Sequence, residues 1–104
     1  MTFRVEIAPD AMAEVVSIAG WWRKNRPAAP RLFLQELDAA VVAIAERPEI
    51  GPRARLRRYP EARSYVLQRS RYVVLYSVDV NAERVIVVRV RHGRRRPLAR
   101  PRRR

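Results

Sequence analysis

The chain predicts an α+β fold: one strand, two helices, then three or four antiparallel strands, with both helices packed on one face of the sheet. Two observations carry that prediction. Apolar residues recur at helical spacing up to about residue 46 and at strand spacing from about residue 65, and Pro9, Pro27, Pro48, Gly51-Pro52 and Pro60 punctuate the changes. A length of 104 residues leaves room for a single core. Residues 1–93 are therefore expected as one domain, followed by an Arg/Pro-rich tail over residues 94–104.

Phe3, Val5 and Ile7 alternate with Arg4 and Glu6, the period of a half-buried strand. Pro9-Asp10 stops it. Asp10 is a suitable N-cap, and Met12, Val15, Val16, Ala19 and Trp22 then recur on one helical face before Pro27 closes the element. The segment Ala28-Ala29-Pro30 restarts the chain, and Phe33, Leu37, Ala40, Val41 and Ile44 form a second stripe that ends at Pro48. Tyr65 to Leu67 and Tyr72 to Val78 are β-branched and aromatic runs joined across Gln68 to Arg71, as in a hairpin. Asp79 to Ala82 supplies the next turn. Val85 to Arg91 is the last strand, with Ile86, Val88 and Val90 expected on one face and Val87, Arg89 and Arg91 on the other. The tail holds seven arginines and two prolines, a composition ordered only by a partner.

Several chemistries lack their residues. Cysteine is absent and His92 is the single histidine, so no zinc or thiol site and no metal is expected. The three glycines, Gly20, Gly51 and Gly93, are too far apart for a phosphate-cradling loop, and no cofactor is expected. Ser17, Ser64, Ser70 and Ser77 form no nucleophile elbow, and Glu36 and Asp38 face different ways on a helix. The start of the sequence has no apolar signal core, and the run from Ala39 to Ala45 is far short of the ~20 residues that span a bilayer. A cytoplasmic location without a membrane partner is expected.

Charge is the strongest remaining signal. The net charge is +13, and residues 1–52 hold six Lys/Arg against seven Asp/Glu while residues 53–104 hold seventeen Arg against three acids, so the two halves carry −1 and +14. Such a one-sided surplus points to a polyanionic partner. Arg63, Arg69, Arg71, Arg89 and Arg91, interleaved with Tyr65, Tyr72, Tyr76 and His92, are the arginines expected on the sheet, and Arg94 follows at its end. Guanidinium forks suit phosphate or carboxylate, whereas a solvated outer face with the tyrosines packed under the helices is the plainer reading. Trp21 and Trp22 are adjacent, so one is expected inward and the other nearer the surface, open to a partner.

Five segments taken together resemble a known group: the opening strand with Pro9-Asp10-Ala11, then Arg26-Pro27-Ala28-Ala29, Arg47-Pro48-Glu49-Ile50-Gly51, Arg71-Tyr72-Val73-Val74-Leu75-Tyr76, and Val87-Val88-Arg89-Val90-Arg91-His92-Gly93-Arg94-Arg95. Over about residues 3 to 97 the sequence resembles the ParE/RelE superfamily of bacterial toxin–antitoxin toxins, and its ParE branch in particular. The resemblance implies a βααβββ-type fold, toxicity to the host, and neutralisation by an antitoxin encoded alongside, in a toxin–antitoxin hetero-oligomer. RelE-like members are ribosome-dependent messenger-RNA endonucleases that use sheet arginines and a C-terminal tyrosine. Val73, Gln68 and Pro97 stand where such groups fall, and none can serve as acid and base. ParE-like members are associated instead with inhibition of DNA gyrase.

The expectation that follows is a non-enzymatic toxin of the ParE kind with no catalytic residues, acting on gyrase or a gyrase–DNA complex. Arg63, Arg69, Arg71, Arg89, Arg91, His92 and Arg94 would bind the target or another polyanion. Trp21 and Trp22 would meet an antitoxin whose arm is acidic, because arginines buried against a neutral partner would be left unpaired. Two alternatives stay open: a RelE-like endonuclease with His92 as acid or base, and a non-enzymatic nucleic-acid-binding module.

Overall fold

The computed structural model describes residues 2–94, so the expected tail is represented by Arg94 alone. Along the chain run strand β1 (Arg4–Ile7), helices α1 (Pro9–Asn25) and α2 (Leu32–Glu46), a 3-10 turn (Pro48–Ile50), and strands β2 (Ala62–Val66), β3 (Tyr72–Asp79) and β4 (Arg84–His92). The four strands form one sheet in the order β1-β4-β3-β2. The last three strands meander antiparallel, as their spacing predicts, whereas β1 joins β4 in parallel, Val5 beside Val85 and Ile7 beside Val87. A parallel partner needs a long crossover, and the helical hairpin supplies it. Phe3 N–H donates to Ala45 O at 2.9 Å and Ala8 N–H to Val87 O at 2.9 Å, tying both ends of the first strand into the layer pair.

One core lies between the helices and the sheet: Ala11, Val15, Ala19 and Trp22 of α1, Phe33, Leu37, Ala40 and Ile44 of α2, and Val74, Tyr76, Val85, Val87 and Val90 beneath them. The α2 stripe matches its spacing. On α1 the buried line is shifted, because Ala11 is fully buried while Met12 and Val16 are 44% and 64% exposed. A small side chain at residue 11 lets the first turn of the helix sit close to the sheet, which rotates Met12 and Val16 outward. Asp10 is not the N-cap either: the helix starts at Pro9, with Ala8 capping it in extended conformation and Asp10 in the first turn.

The strict alternation expected in β4 fails at Val88. Leu75 pairs with Arg89 but Tyr76 pairs with Val87, so Val88 is an extra, bulged residue. An extra residue reverses the side-chain phase. Val85, Val87 and Val90 therefore face the helices, while Ile86, Arg89 and Arg91 take the other face. Tyr65, Tyr72 and Tyr76 also pack against the core side, so the tyrosines lie under the helices rather than among these arginines.

Between the 3-10 turn and β2, residues 51–61 fold back on the outer edge of β2: Ser64 N–H donates to Pro52 O at 3.0 Å and Ala54 N–H to Ala62 O at 2.9 Å. Gly51 is required by the close approach, since a Cβ there would lie 1.9 Å from the Ser64 carbonyl oxygen.

Candidate functional site

The β2–β3 turn (residues 67–71) and the end of β4 build one cationic corner. Leu67 N–H donates to Tyr72 O and Arg71 N–H to Leu67 O, each at 2.8 Å, closing a tight turn with Arg71 in the left-handed region at φ 71°. The strand end is joined to it by the Gly93 N–H, which donates to Arg71 O at 2.7 Å. Arg71, His92, Gly93 and Arg94 thereby line a cleft of about 420 Å³ whose apolar wall is Val66 and Val73. Arg69 and Arg71 are exposed on the turn and Arg94 on the strand end.

Glu36 of α2 positions this turn. Its carboxylate accepts the backbone N–H groups of Arg69 and Ser70, both at 2.8 Å. Partial burial alone would raise its pKa, but the hydrogen bonds from the backbone N–H groups of Arg69 and Ser70 and the Arg69 charge outweigh burial and hold the carboxyl below its ordinary 4.5. The carboxylate set aside as one of two acids facing apart is thus a turn cap.

His92 stands at the sheet end in an aromatic column. Its ring meets Tyr72 edge-on at 5.1 Å, and Tyr72 meets buried Phe33 in the same way at 5.1 Å. The Nδ1 atom accepts the Arg94 N–H at 3.0 Å, which places the proton of a neutral ring on Nε2. On the helix side, His92 and Arg91 line a groove of about 430 Å³ with Glu14, Ser17 and Trp21 of α1, floored by Val90 and Tyr72. The two tryptophans part as adjacency requires. Trp21 is 45% exposed in this groove, whereas Trp22 is 8% exposed and belongs to the core. The Arg26 guanidinium lies 5.1 Å from the Trp21 ring centre.

The other two expected arginines are held. Arg89 donates from Nε to Glu14 at 3.0 Å, and the same carboxylate accepts the Val90 N–H at 2.7 Å. Arg63 lies away from the corner, opposite Tyr76, and its guanidinium donates to the carbonyls of Gly51 at 2.6 Å and Glu49 at 3.3 Å. It is a tether for the 3-10 turn.

The short basic stretch around Leu56 and Tyr59 adds three arginines beyond those expected on the sheet. Arg55, Arg57 and Arg58 are exposed on the segment after Pro52, and Arg57 and Arg58 line a third cleft, about 550 Å³, with Leu56, Tyr59, Val88, Arg89 and the Ala8-Pro9-Asp10 start of α1. Four arginines within residues 53–58 were the available signal. Among the described residues no group of three or more His, Cys, Asp or Glu side chains could hold a metal, and no helix is long and apolar enough to cross a membrane. Chemically, the surface offers guanidinium groups, aromatic faces and one imidazole.

A family model described as the ParE toxin of the type II toxin-antitoxin system, parDE, matches residues 5–97. No curated protein sequence matches the chain. In structure the chain is similar to a chain of the chromosomal ParDE toxin–antitoxin system of P. aeruginosa, at 14% identity and TM-score 0.67, covering 88% of this chain and 96% of that one. It is also similar to the isolated E. coli RelE toxin, at 23% identity and TM-score 0.60, with 90% and 87% covered. A third likeness is to the RelBE2 toxin–antitoxin complex of Mycobacterium tuberculosis, at 19% identity and TM-score 0.60, with 88% and 92% covered. At these identities the likeness is one of fold.

Proposed function

The chain belongs to the ParE toxin family of type II toxin–antitoxin systems, and from that premise we propose that it arrests growth by binding DNA gyrase or a gyrase–DNA complex, in the cytoplasm, until an acidic antitoxin covers it. The observation that carries this reading is the pair Arg71 and Arg94, whose cleft no acidic side chain lines, with Arg69 exposed on the adjoining turn. Such a surface recognises phosphate or carboxylate without performing a reaction. The non-enzymatic reading is supported by what surrounds these arginines. Val66 and Val73 wall the cleft and transfer no proton, and the imidazole of His92 already accepts the Arg94 N–H on Nδ1.

An antitoxin partner follows from the family, and the charge of this half of the chain selects an acidic one. The RelE-like alternative assigns His92 a proton-transfer role beside Arg71. Purified toxin added to a gyrase supercoiling reaction separates the readings when paired with primer extension on messages from expressing cells. Lost supercoiling with intact messages is the expected result. Discrete cuts within codons, with supercoiling unaffected, would establish the endonuclease instead.

A further inference from the structure

Residues 56–59 form a tight turn in which the Tyr59 N–H donates to Leu56 O at 3.0 Å, setting Arg57 and Arg58 at its two corner positions. The turn is fixed from behind. Ala62 N–H donates to Tyr59 O at 3.0 Å, Ala54 N–H to Ala62 O at 2.9 Å, and Arg53 pairs with Glu61 at 2.9 Å. Both corner arginines are exposed, and both line the cleft of about 550 Å³ that the turn shares with the start of α1. Leu56, Tyr59, Pro9 and the bulged Val88, itself 5% exposed, give that cleft an apolar lining. Asp10 is the one acid among its lining residues. Among the described residues no ion pair joins Asp10 to Arg57 or Arg58, while Arg89 is turned to Glu14 at 3.0 Å.

We propose that this cleft binds a single nucleotide unit, with the base against the Tyr59 ring and the Leu56 and Val88 side chains and the phosphate held by Arg57 and Arg58. Three chemistries meet there, and a nucleotide carries the complement of each. Guanidinium forks match phosphate oxygens, an aromatic ring in an apolar lining offers a stacking surface for a base, and a carboxylate such as Asp10 accepts from an amino group or a sugar hydroxyl. The size agrees, since small-molecule clefts run from about 300 to 1,000 Å³. An acidic peptide or a bare phosphate chain would satisfy the arginines, but it would leave the apolar lining unused and meet Asp10 with like charge. No Gly-rich loop is needed, because side chains rather than backbone amides meet the phosphate. A nucleotide free in solution and the unpaired end of a nucleic-acid strand share this chemistry. The cleft shares no residue with that of Arg71 and Arg94, so nucleotide binding here and gyrase binding there stand or fall separately.

The full-length chain is titrated with AMP, adenosine, inorganic phosphate and a short oligodeoxyadenylate, followed by calorimetry and by the NMR signals of the Tyr59 ring and the Val88 methyls. AMP is expected to move both signals, with adenosine and phosphate each binding about tenfold more weakly. The double variant Arg57→Gln, Arg58→Gln should weaken AMP about tenfold through lost charge-assisted contacts, and Tyr59→Leu about fivefold through the lost ring. None of these side chains belongs to the core. Arg55→Gln, at an exposed position on the same segment that does not line the cleft, should leave AMP affinity unchanged. Binding of the oligodeoxyadenylate but not of AMP, with the same dependence on Arg57, Arg58 and Tyr59, would assign the cleft to a strand end and uphold the nucleotide unit. Inorganic phosphate binding as tightly as AMP, or Tyr59→Leu without effect, would reduce the cleft to a bare anion site and overturn the proposal. Equal losses in Arg55→Gln and in the double variant would overturn it as well, by showing charge attraction without a site. If neither AMP nor the oligodeoxyadenylate moves the Tyr59 and Val88 signals, the cleft holds no nucleotide, and gyrase inhibition is left standing on its own test.

Discussion

The carboxylate of Glu36 accepts the backbone N–H of Ser70 at 2.8 Å, bridging a helix to the hairpin turn that carries Arg69 and Arg71. A carboxylate held below its ordinary 4.5 stabilises the fold above the unfolded-state value and loses that contribution as pH falls through the folded-state value. Glu36→Gln should therefore cost about 1 kcal/mol at pH 7. Urea unfolding at pH 7 and at pH 3 checks this: the gap between wild type and variant should close at the lower pH.

Tyr76 joins the 3-10 turn to the core. Its hydroxyl accepts the Gly51 N–H at 3.0 Å and donates to Pro48 O at 2.8 Å, in a fully buried site. Tyr76→Phe leaves both backbone groups without a partner and should cost about 2–3 kcal/mol. Burial raises this hydroxyl's pKa above 10.0, with the Gly51 hydrogen bond opposing. A raised value means stability present below the unfolded pKa and lost above it, so wild type should weaken above pH 10 relative to the variant, seen as converging melting curves.

Much of this architecture was legible because local chemistry decided it. Prolines and turn residues set the element boundaries, and the α2 stripe from Phe33 to Ile44 needed no tertiary information. Three features were not legible. Val88 looks like any other valine in an alternating run, and only pairing with β3 makes it the bulged residue that parts Arg89 and Arg91 from the face of Val87. Arg63 reads as one more sheet cation, yet the carbonyls that hold its guanidinium come from residues 49 and 51, across a loop. Pairing of β1 with β4 joins segments about eighty residues apart, a choice no local window contains.

Arg71 combines strain with exposure. Its φ of 71° is costly for a residue with a Cβ, by roughly 1–2 kcal/mol, and glycine is free of that cost. Arg71→Gly should be as stable as wild type or more so, by up to about 1 kcal/mol after the unfolded-state entropy of glycine is counted. The same variant should bind gyrase–DNA less well. Calorimetry alongside a supercoiling assay tests both halves, and lower stability with full inhibition would contradict each.

The arginines divide into tethers and contacts, and substitution should separate them. Arg63→Gln removes two hydrogen bonds to backbone carbonyls and should lower the melting temperature without changing affinity for DNA. Arg69→Gln and Arg94→Gln touch exposed side chains, so stability should hold while affinity falls. Circular dichroism melts and filter binding on the same set of variants read the two effects independently.

Glu14 restrains Arg89, and releasing that restraint should be visible in salt dependence. Arg89 borders the cleft that Arg57 and Arg58 also line, but its Nε and Nη2 atoms are turned to the Glu14 carboxylate at 3.0 Å. Glu14→Gln keeps an acceptor for the Val90 N–H and removes the opposing charge. Arg89 then becomes available to a phosphate in that cleft. Each phosphate newly neutralised steepens the dependence of log K on log salt by about 0.9 on duplex DNA. The variant should therefore bind DNA more tightly at low salt, with a slope steeper by about that amount. Arg89→Gln in the same background should return the slope to its starting value, whereas an unchanged slope in Glu14→Gln would mean that the cleft contacts no phosphate.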